Sequence, residues 1–294
     1  MSSPAEVEKY GFDKNLASRV FEAFPKIYGE KGRLFIGGYQ YLAWIDDQID
    51  ENVLLSISQK REFLDRQLKL VRGDTPENLS PFESLFLNLP WQKVPAEQVR
   101  KQVEIILYGI KDDLDSMPLH ARSRASIRHT EWRTAIATLR IGSLILNDTD
   151  FYITARFAKL MEFWAAKDNV NHFYEDLGFG VLKLPVDPTL EQKLDTIDMK
   201  GKKRVILQLF SPQELASLQW VNLAGMIRFA PSIFETNLTA SQKLALWGYL
   251  AYIIGINSIK NLKRGNPEGN YLKGNTLAST PTSPAPLGLT DHHQ

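Results

Sequence analysis

The sequence contains no cysteine. That excludes a disulfide scaffold, a thiolate metal centre and a cysteine nucleophile, and it fits a reducing compartment. Charge excess of either sign is also missing: 35 Lys and Arg stand against 34 Asp and Glu, a net charge of +1. A nucleic-acid binder shows a basic excess or stripe, so no nucleic-acid partner is expected. The first residues, MSSPAEVEKYGFDKN, lack the apolar stretch of a secretory leader. No apolar run is long enough for a bilayer, which needs roughly 20 residues. The longest one near the C-terminus, Leu244 to Ile256, is interrupted by Gly248 and Gly255 and reads as a buried helix. These features lead to the expectation of a cytoplasmic protein.

Alternating strand patterns are scarce, while helical spacing dominates. The periodicity predicts helices at about 14–25, 33–52, 55–72, 96–116, 123–147, 150–177, 201–209, 212–230 and 240–264. Residues 33–50 are apolar almost all round, so that helix should sit at the centre of the bundle. Pro81 and Pro90 bracket an expected loop. Pro185 and Pro188 should end the long helix before them, leaving 178–200 as a loop or lid. From Gly265 the composition turns to Gly, Asn, Pro, Ser and Thr. We therefore expect one all-α domain over 1–274 and a disordered tail over 275–294, which would take His292 and His293 out of consideration as ligands.

Two acidic clusters stand out. The helix of residues 33–50 ends Asp46-Asp47-Gln48-Ile49-Asp50-Glu51, with Asp46 and Asp50 one turn apart on the same face. Acids at a helix C-terminus oppose the macrodipole. Either they form a solvated helix end or they bind a hard cation such as Mg²⁺, which takes one or two carboxylates plus phosphates. The second cluster ends another long helix: Asp168, His172 and Asp176 form one stripe, with Asn171 and Glu175 beside it. Alone it reads as a polar helix face. Two such helices facing each other across a pocket could instead hold Mg²⁺ ions that grip a diphosphate leaving group, with apolar and aromatic walls to shield the resulting carbocation. Asp112, Asp113 and Asp115 make a third acidic run, for which a supporting role is expected.

Several segments together resemble the squalene/phytoene synthase family, the head-to-head trans-isoprenyl diphosphate synthases. Ser18-Arg19-Val20-Phe21 is similar to the family's Ser-Lys-Ser-Phe segment, and Tyr39 to Asp50 to its first aspartate-rich motif. Gly109 to Leu114 is similar to a Gly-x-x-x-Asp-Leu element, and Ile141-Gly142 to the end of a Val-Ala-Gly-x-Val-Gly stretch. Asp168 to Asp176 is similar to the second motif, and Gly180 to Pro185 to the Gly-Arg-x-Tyr-x-Pro that follows it. The likeness runs from about 16 to 264. It implies an isoprenoid-synthase-type helical bundle around a central cavity and a Mg²⁺-dependent prenyltransferase that releases diphosphate. Asp46, Asp47, Asp50, Asp168, His172, Glu175 and Asp176 would hold the metal, with Asp46, Asp50, Asp168 and Asp176 catalytic. Ser18, Arg19, Arg133, Arg140 and Lys183 would bind diphosphate or substrate. The partners implied are a prenyl diphosphate, a second small-molecule acceptor and, because such molecules are greasy, at most a peripheral membrane contact.

The sequence also departs from the family pattern. Ala43 stands where the family has an arginine before the first aspartate pair, and His172 stands where its second motif has a carboxylate. Arg133 replaces a tyrosine, and Arg140 follows Ala137-Thr138-Leu139 where a small-residue segment is usual. Arg133 and Arg140 share one helix side, either to bind an anion or to make surface ion pairs. The donor half-site is kept and the acceptor half-site altered, which points to a divergent member. Transfer to another acceptor, cyclisation of the donor and an inactive binding or assembly role remain the alternatives.

Overall fold

A computed structural model describes the backbone of residues 16–50, 52, 54–115, 117, 119–120, 122–147 and 149–263, with side chains from residue 25 to 255 apart from positions 124, 188, 191 and 195. The protein is all-α; the described residues form ten helices and no strand. These are α1 (Leu16–Asp50), α2 (Ile57–Arg72), α3 (Pro81–Leu87), α4 (Ala96–Asp115), α5 (Arg124–Asn147), α6 (Ala155–Phe179), α7 (Pro188–Asp195), α8 (Met199–Leu209), α9 (Pro212–Phe229) and α10 (Ala240–Lys263). Helix α1 is broken at Gly29, where φ is 57°. The chain divides into one compact unit up to Ala251 and a second from Tyr252, of which the helix as far as Lys263 is described. The tail expected over 275–294, with His292 and His293, lies outside the described residues.

Two expected loops each contain a short helix, α3 between Pro81 and Pro90 and α7 within 178–200, where 180–187 is non-helical as expected. Ser80 precedes Pro81, its side chain accepts from the Glu83 N–H, and the Glu83 carboxylate accepts from the Ser80 N–H. Asp187 caps α7 in a similar way, accepting from Thr189 ahead of Pro188. Proline at the first helical position gives up only an N–H that has no helical partner, so here it opens helices instead of ending them.

Helix α1 packs against α2, α3, α4 and α5, as its all-round apolar character predicts. Tyr41 stacks on Phe86 with ring centroids 4.2 Å apart, and Trp44 stacks on Phe82 at 5.1 Å. Around them lie Leu34, Ile45, Ile49, Leu64, Leu107 and Leu114, which form the first hydrophobic cluster with residues of α5. Helix α5 lies against α4 so closely that a Cβ at Gly109 would collide with the Thr134 hydroxyl. A second cluster gathers Phe173 and Leu177 of α6, Leu182 and Leu184 after it, and Leu194, Ile206 and Phe210. The polar ends of α1 and α6 emerge from these two cores.

The run from Leu244 is not buried as expected. Leu244 is 63% exposed and Tyr249 50%, whereas Leu250 is fully covered. A helix with apolar residues on every side has more of them than one contact face can cover. No helix among the described residues is long and apolar enough to cross a membrane.

A buried polar network ties α1, α2 and α3 together. The Tyr41 hydroxyl donates to Gln67 Oε1 at 2.9 Å, Gln67 Nε2 donates to Glu83 Oε1 at 2.8 Å, and Arg66 Nε donates to the same oxygen at 2.7 Å. Burial pushes the Glu83 carboxyl up, but hydrogen bonds from Arg66, the Ser80 backbone and Gln67 outweigh it and hold it at about 2, below its ordinary 4.5. The network therefore stabilises the fold above pH 4.5, and that stability is lost as pH falls towards 2. Glu83→Ala should cost about 3 kcal/mol in urea denaturation at neutral pH, because it strands buried donors. The gap between variant and parent should narrow as the solution is acidified through that window.

Candidate active site

The C-terminal end of α1 and the last turns of α6 face one cavity of about 290 Å³. Asp46, Asp47 and Asp50 line it from α1, Asp168, His172, Glu175 and Asp176 from α6, and Lys183 from the segment that follows. The structure thus brings together every residue assigned to a metal by the sequence. The second motif divides in two as its stripe drifts around the helix. Asp168, His172 and Glu175 are exposed; His172 Nδ1 meets Glu175 Oε2 at 2.9 Å and its Nε2 lies 3.8 Å from Asp168 Oδ1. Asp176 turns inward and is only 7% exposed. Asn171 is engaged elsewhere, accepting from Gln219 Nε2 at 2.8 Å.

Gly180 ends α6 in the left-handed conformation, at φ 85°, and the Val181 N–H returns to the Asp176 carbonyl at 2.9 Å. A side chain is strained at such a φ, so glycine suits the reversal. It brings Lys183 back over the helix end. Lys183 Nζ lies 3.5 Å from Asp176 Oδ1, 3.6 Å from Asp50 Oδ2 and 3.7 Å from Asp113 Oδ2. Asp113, for which a structural or supporting role is expected, also pairs with Arg122 at 2.9 Å.

Burial first, and then the neighbouring acids, raise the proton affinity of the carboxylates gathered here. Asp46 opens onto the cavity, yet desolvation by its walls and then the neighbouring Asp50 push its carboxyl up to about 7. Burial first, and then Asp50 against the opposing pull of Lys183, moves Asp176 to about 6. Desolvation draws the Lys183 ammonium down, but Asp113, Asp50 and Asp176 outweigh it and hold it charged. Asp176 Oδ2 is buried with no hydrogen-bond partner among the described residues. No three His, Asp or Glu side chains among the described residues form a metal cage on their own. The donors are oxygen-rich and partly orphaned, which suits a cation that takes one or two carboxylates and completes its shell with water and phosphate. Asp46, Asp50 and Asp176 line the cavity together.

An apolar chamber of about 770 Å³ adjoins this mouth and shares Asp168, Asn169 and Lys183 with it. Phe35, Tyr39, Trp164 and Tyr249 supply aromatic walls, and Thr134, Thr138 and Leu139 supply the α5 side. A narrower apolar recess of about 50 Å³ continues past Phe35, Tyr39 and Thr138 towards Phe86 and Trp91. Trp164 lines the chamber, while Trp44 and Phe173 belong to the cores. Burial, then Asp46, raises the Tyr39 phenol, which stays protonated.

Arg133 and Arg140 do not line this chamber. Arg133 Nη2 pairs with Asp112 Oδ2 at 2.6 Å, and Arg140 Nε lies 3.4 Å from Asp150 Oδ1. Of the two readings open in the sequence, the structure places both in ion pairs. The side chains of Ser18 and Arg19 lie outside the described residues, as do those of Lys260 and Lys263 and all of Arg264.

Glu131 was not anticipated. It lines the chamber, accepts a hydrogen bond from Asn169 Nδ2, and is pushed up to about 8 by burial and then by Asp113. The signal was a stripe: Ile127, Glu131, Thr134 and Thr138 recur at helical spacing along one face of α5, and all four line the chamber.

The raised Asp46 value carries a sign. Its contribution to stability is complete below the ordinary 3.8 and is lost as pH rises through about 7. At pH 8 with metal removed by EDTA, Asp46→Asn should therefore melt later than the parent. Water in the cavity screens the repulsion, so the gain should be about 1 kcal/mol. It should vanish by pH 4; a loss of stability at pH 8 would mean that Lys183 over-compensates the charge.

No family model, no curated protein and no solved structure matches this chain.

Proposed function

We propose that this chain ionises an allylic prenyl diphosphate at the acidic cavity with the help of Mg²⁺, releases diphosphate and passes the prenyl cation to an acceptor. The observation that carries the reading is the joining of a carboxylate-lined mouth to an apolar, aromatic chamber. A prenyl diphosphate has the same two-part chemistry: a polyanionic head, which needs cations to rest beside carboxylates, and a hydrocarbon tail, which needs a dry cavity.

Asp46, Asp50 and Asp176 would hold the metal, with Asp47, Asp168 and Glu175 around it. When bound, Mg²⁺ neutralises the diphosphate and makes it a better leaving group. Lys183, which lines both the mouth and the chamber, would meet the anion as the carbon–oxygen bond breaks. Phe35, Tyr39, Trp164 and Tyr249 would stabilise the allylic cation through their ring faces and exclude water.

Transfer is favoured over cyclisation by a further pocket of about 550 Å³. It shares Ile127, Glu131, Asn169 and Lys183 with the chamber and extends to Phe163, Leu184 and Leu218, leaving room for a second substrate.

Incubation with dimethylallyl, geranyl, farnesyl and geranylgeranyl diphosphates should release diphosphate from at least one of them, only when Mg²⁺ is present. Asp46→Asn and Asp50→Asn should each lower that rate by about 100-fold or more. The product mass distinguishes joining, transfer and cyclisation. Release that survives both substitutions, or that is indifferent to EDTA, would overturn the reading.

A further inference from the structure

The acidic cavity already contains a cation of its own. Lys183 Nζ stands 3.5, 3.6 and 3.7 Å from carboxylate oxygens of Asp176, Asp50 and Asp113. These three acids come from three helices, α6, α1 and α4, and the near-equal distances are those of an ion held in common. An ammonium is a compact point charge without the planar fork of arginine, so it sits among oxygens much as a spherical ion does.

Its position is built into the fold. Leu182 and Leu184, on either side of it, are 1% and 4% exposed and belong to the second core. Asn169 Nδ2 donates to the Lys183 carbonyl at 3.1 Å. The backbone is thus pinned beneath the carboxylates. One positive charge still leaves the site negative: Asp46, Asp47 and Glu175 line the same cavity, and the buried Asp176 Oδ2 has no hydrogen-bond partner among the described residues.

We propose that Lys183 is a resident cation that takes the place of one divalent ion between α1, α4 and α6, so the site binds one ion fewer than its carboxylates would otherwise accept. This rests on the diphosphate-ionising reading of the same cavity. A tethered ammonium does not leave with the product, so the three helix ends stay bridged after diphosphate departs. The ions that come and go with diphosphate then bind Asp46 together with the oxygens of Asp50 and Asp176 that do not face Lys183.

The test counts Mn²⁺ ions bound per chain at saturating inorganic diphosphate, from the loss of the free-ion spin-resonance signal. The wild type is compared with Lys183→Met, Lys183→Arg and the double variant Lys183→Met with Asp113→Asn. Lys183→Met should bind one ion more than wild type, and Lys183→Arg the same number. The double variant keeps the wild-type local charge and should also gain one ion, so it serves if the single variant does not fold. An unchanged or lower count in a variant with a native circular dichroism spectrum overturns the proposal while leaving the diphosphate reading intact. If the wild type itself binds no Mn²⁺ with diphosphate, both fall.

Discussion

Repulsion among carboxylates at the facing ends of two long helices is the constraint on which the rest of this structure depends. Asp46, Asp47 and Asp50 end α1, and Asp168, Glu175 and Asp176 end α6, all on one cavity. Neither helix end gains from them, because acids at a C-terminus oppose the macrodipole. The fold tolerates the arrangement by placing Lys183 between them and Arg122 behind Asp113. Burial first, and then the neighbouring Asp50, keep the Asp46 and Asp176 carboxyls elevated in spite of Lys183. Perturbed carboxylates in a cleft are a mark of functional sites.

Two hydrophobic cores hold these ends in place. The aromatic stack of Tyr41, Phe86, Trp44 and Phe82 fixes α1 against α3, and the Glu83 network locks the same helices by hydrogen bonds. The second core, around Phe173, Leu182 and Phe210, fixes the end of α6 and the returning segment that carries Lys183. The Gly180 reversal links the two, since it sets the register of Lys183 relative to Asp176. Rigid positioning of this kind keeps like charges together that would otherwise separate.

Much of this was legible in the sequence because it depends on local spacing. Long apolar periodicities gave the helices, and two acidic runs at helix ends marked the mouth of the site. The misreadings have physical causes. Pro81 reads as the edge of a loop and Pro188 as the end of a helix, but each follows a capping residue and opens a helix. Leu244 to Tyr249 looked buried because hydrophobicity alone does not say how many sides of a helix find a partner. Glu131 joins the chamber from α5, and only the packing of that helix brings it there. The division of the second motif into an exposed triad and an inward Asp176 follows from its rotation relative to the core, which spacing does not reveal.

The central claim is that one molecule bridges the acidic mouth and the aromatic chamber. A crystal structure with Mg²⁺ and a prenyl thiolodiphosphate, which resists ionisation, tests it most directly. The account predicts the diphosphate and its metal between Asp46, Asp50 and Asp176, with the hydrocarbon chain running past Tyr39 and Trp164. A diphosphate bound away from these carboxylates, or a chain lying outside the chamber, would contradict it.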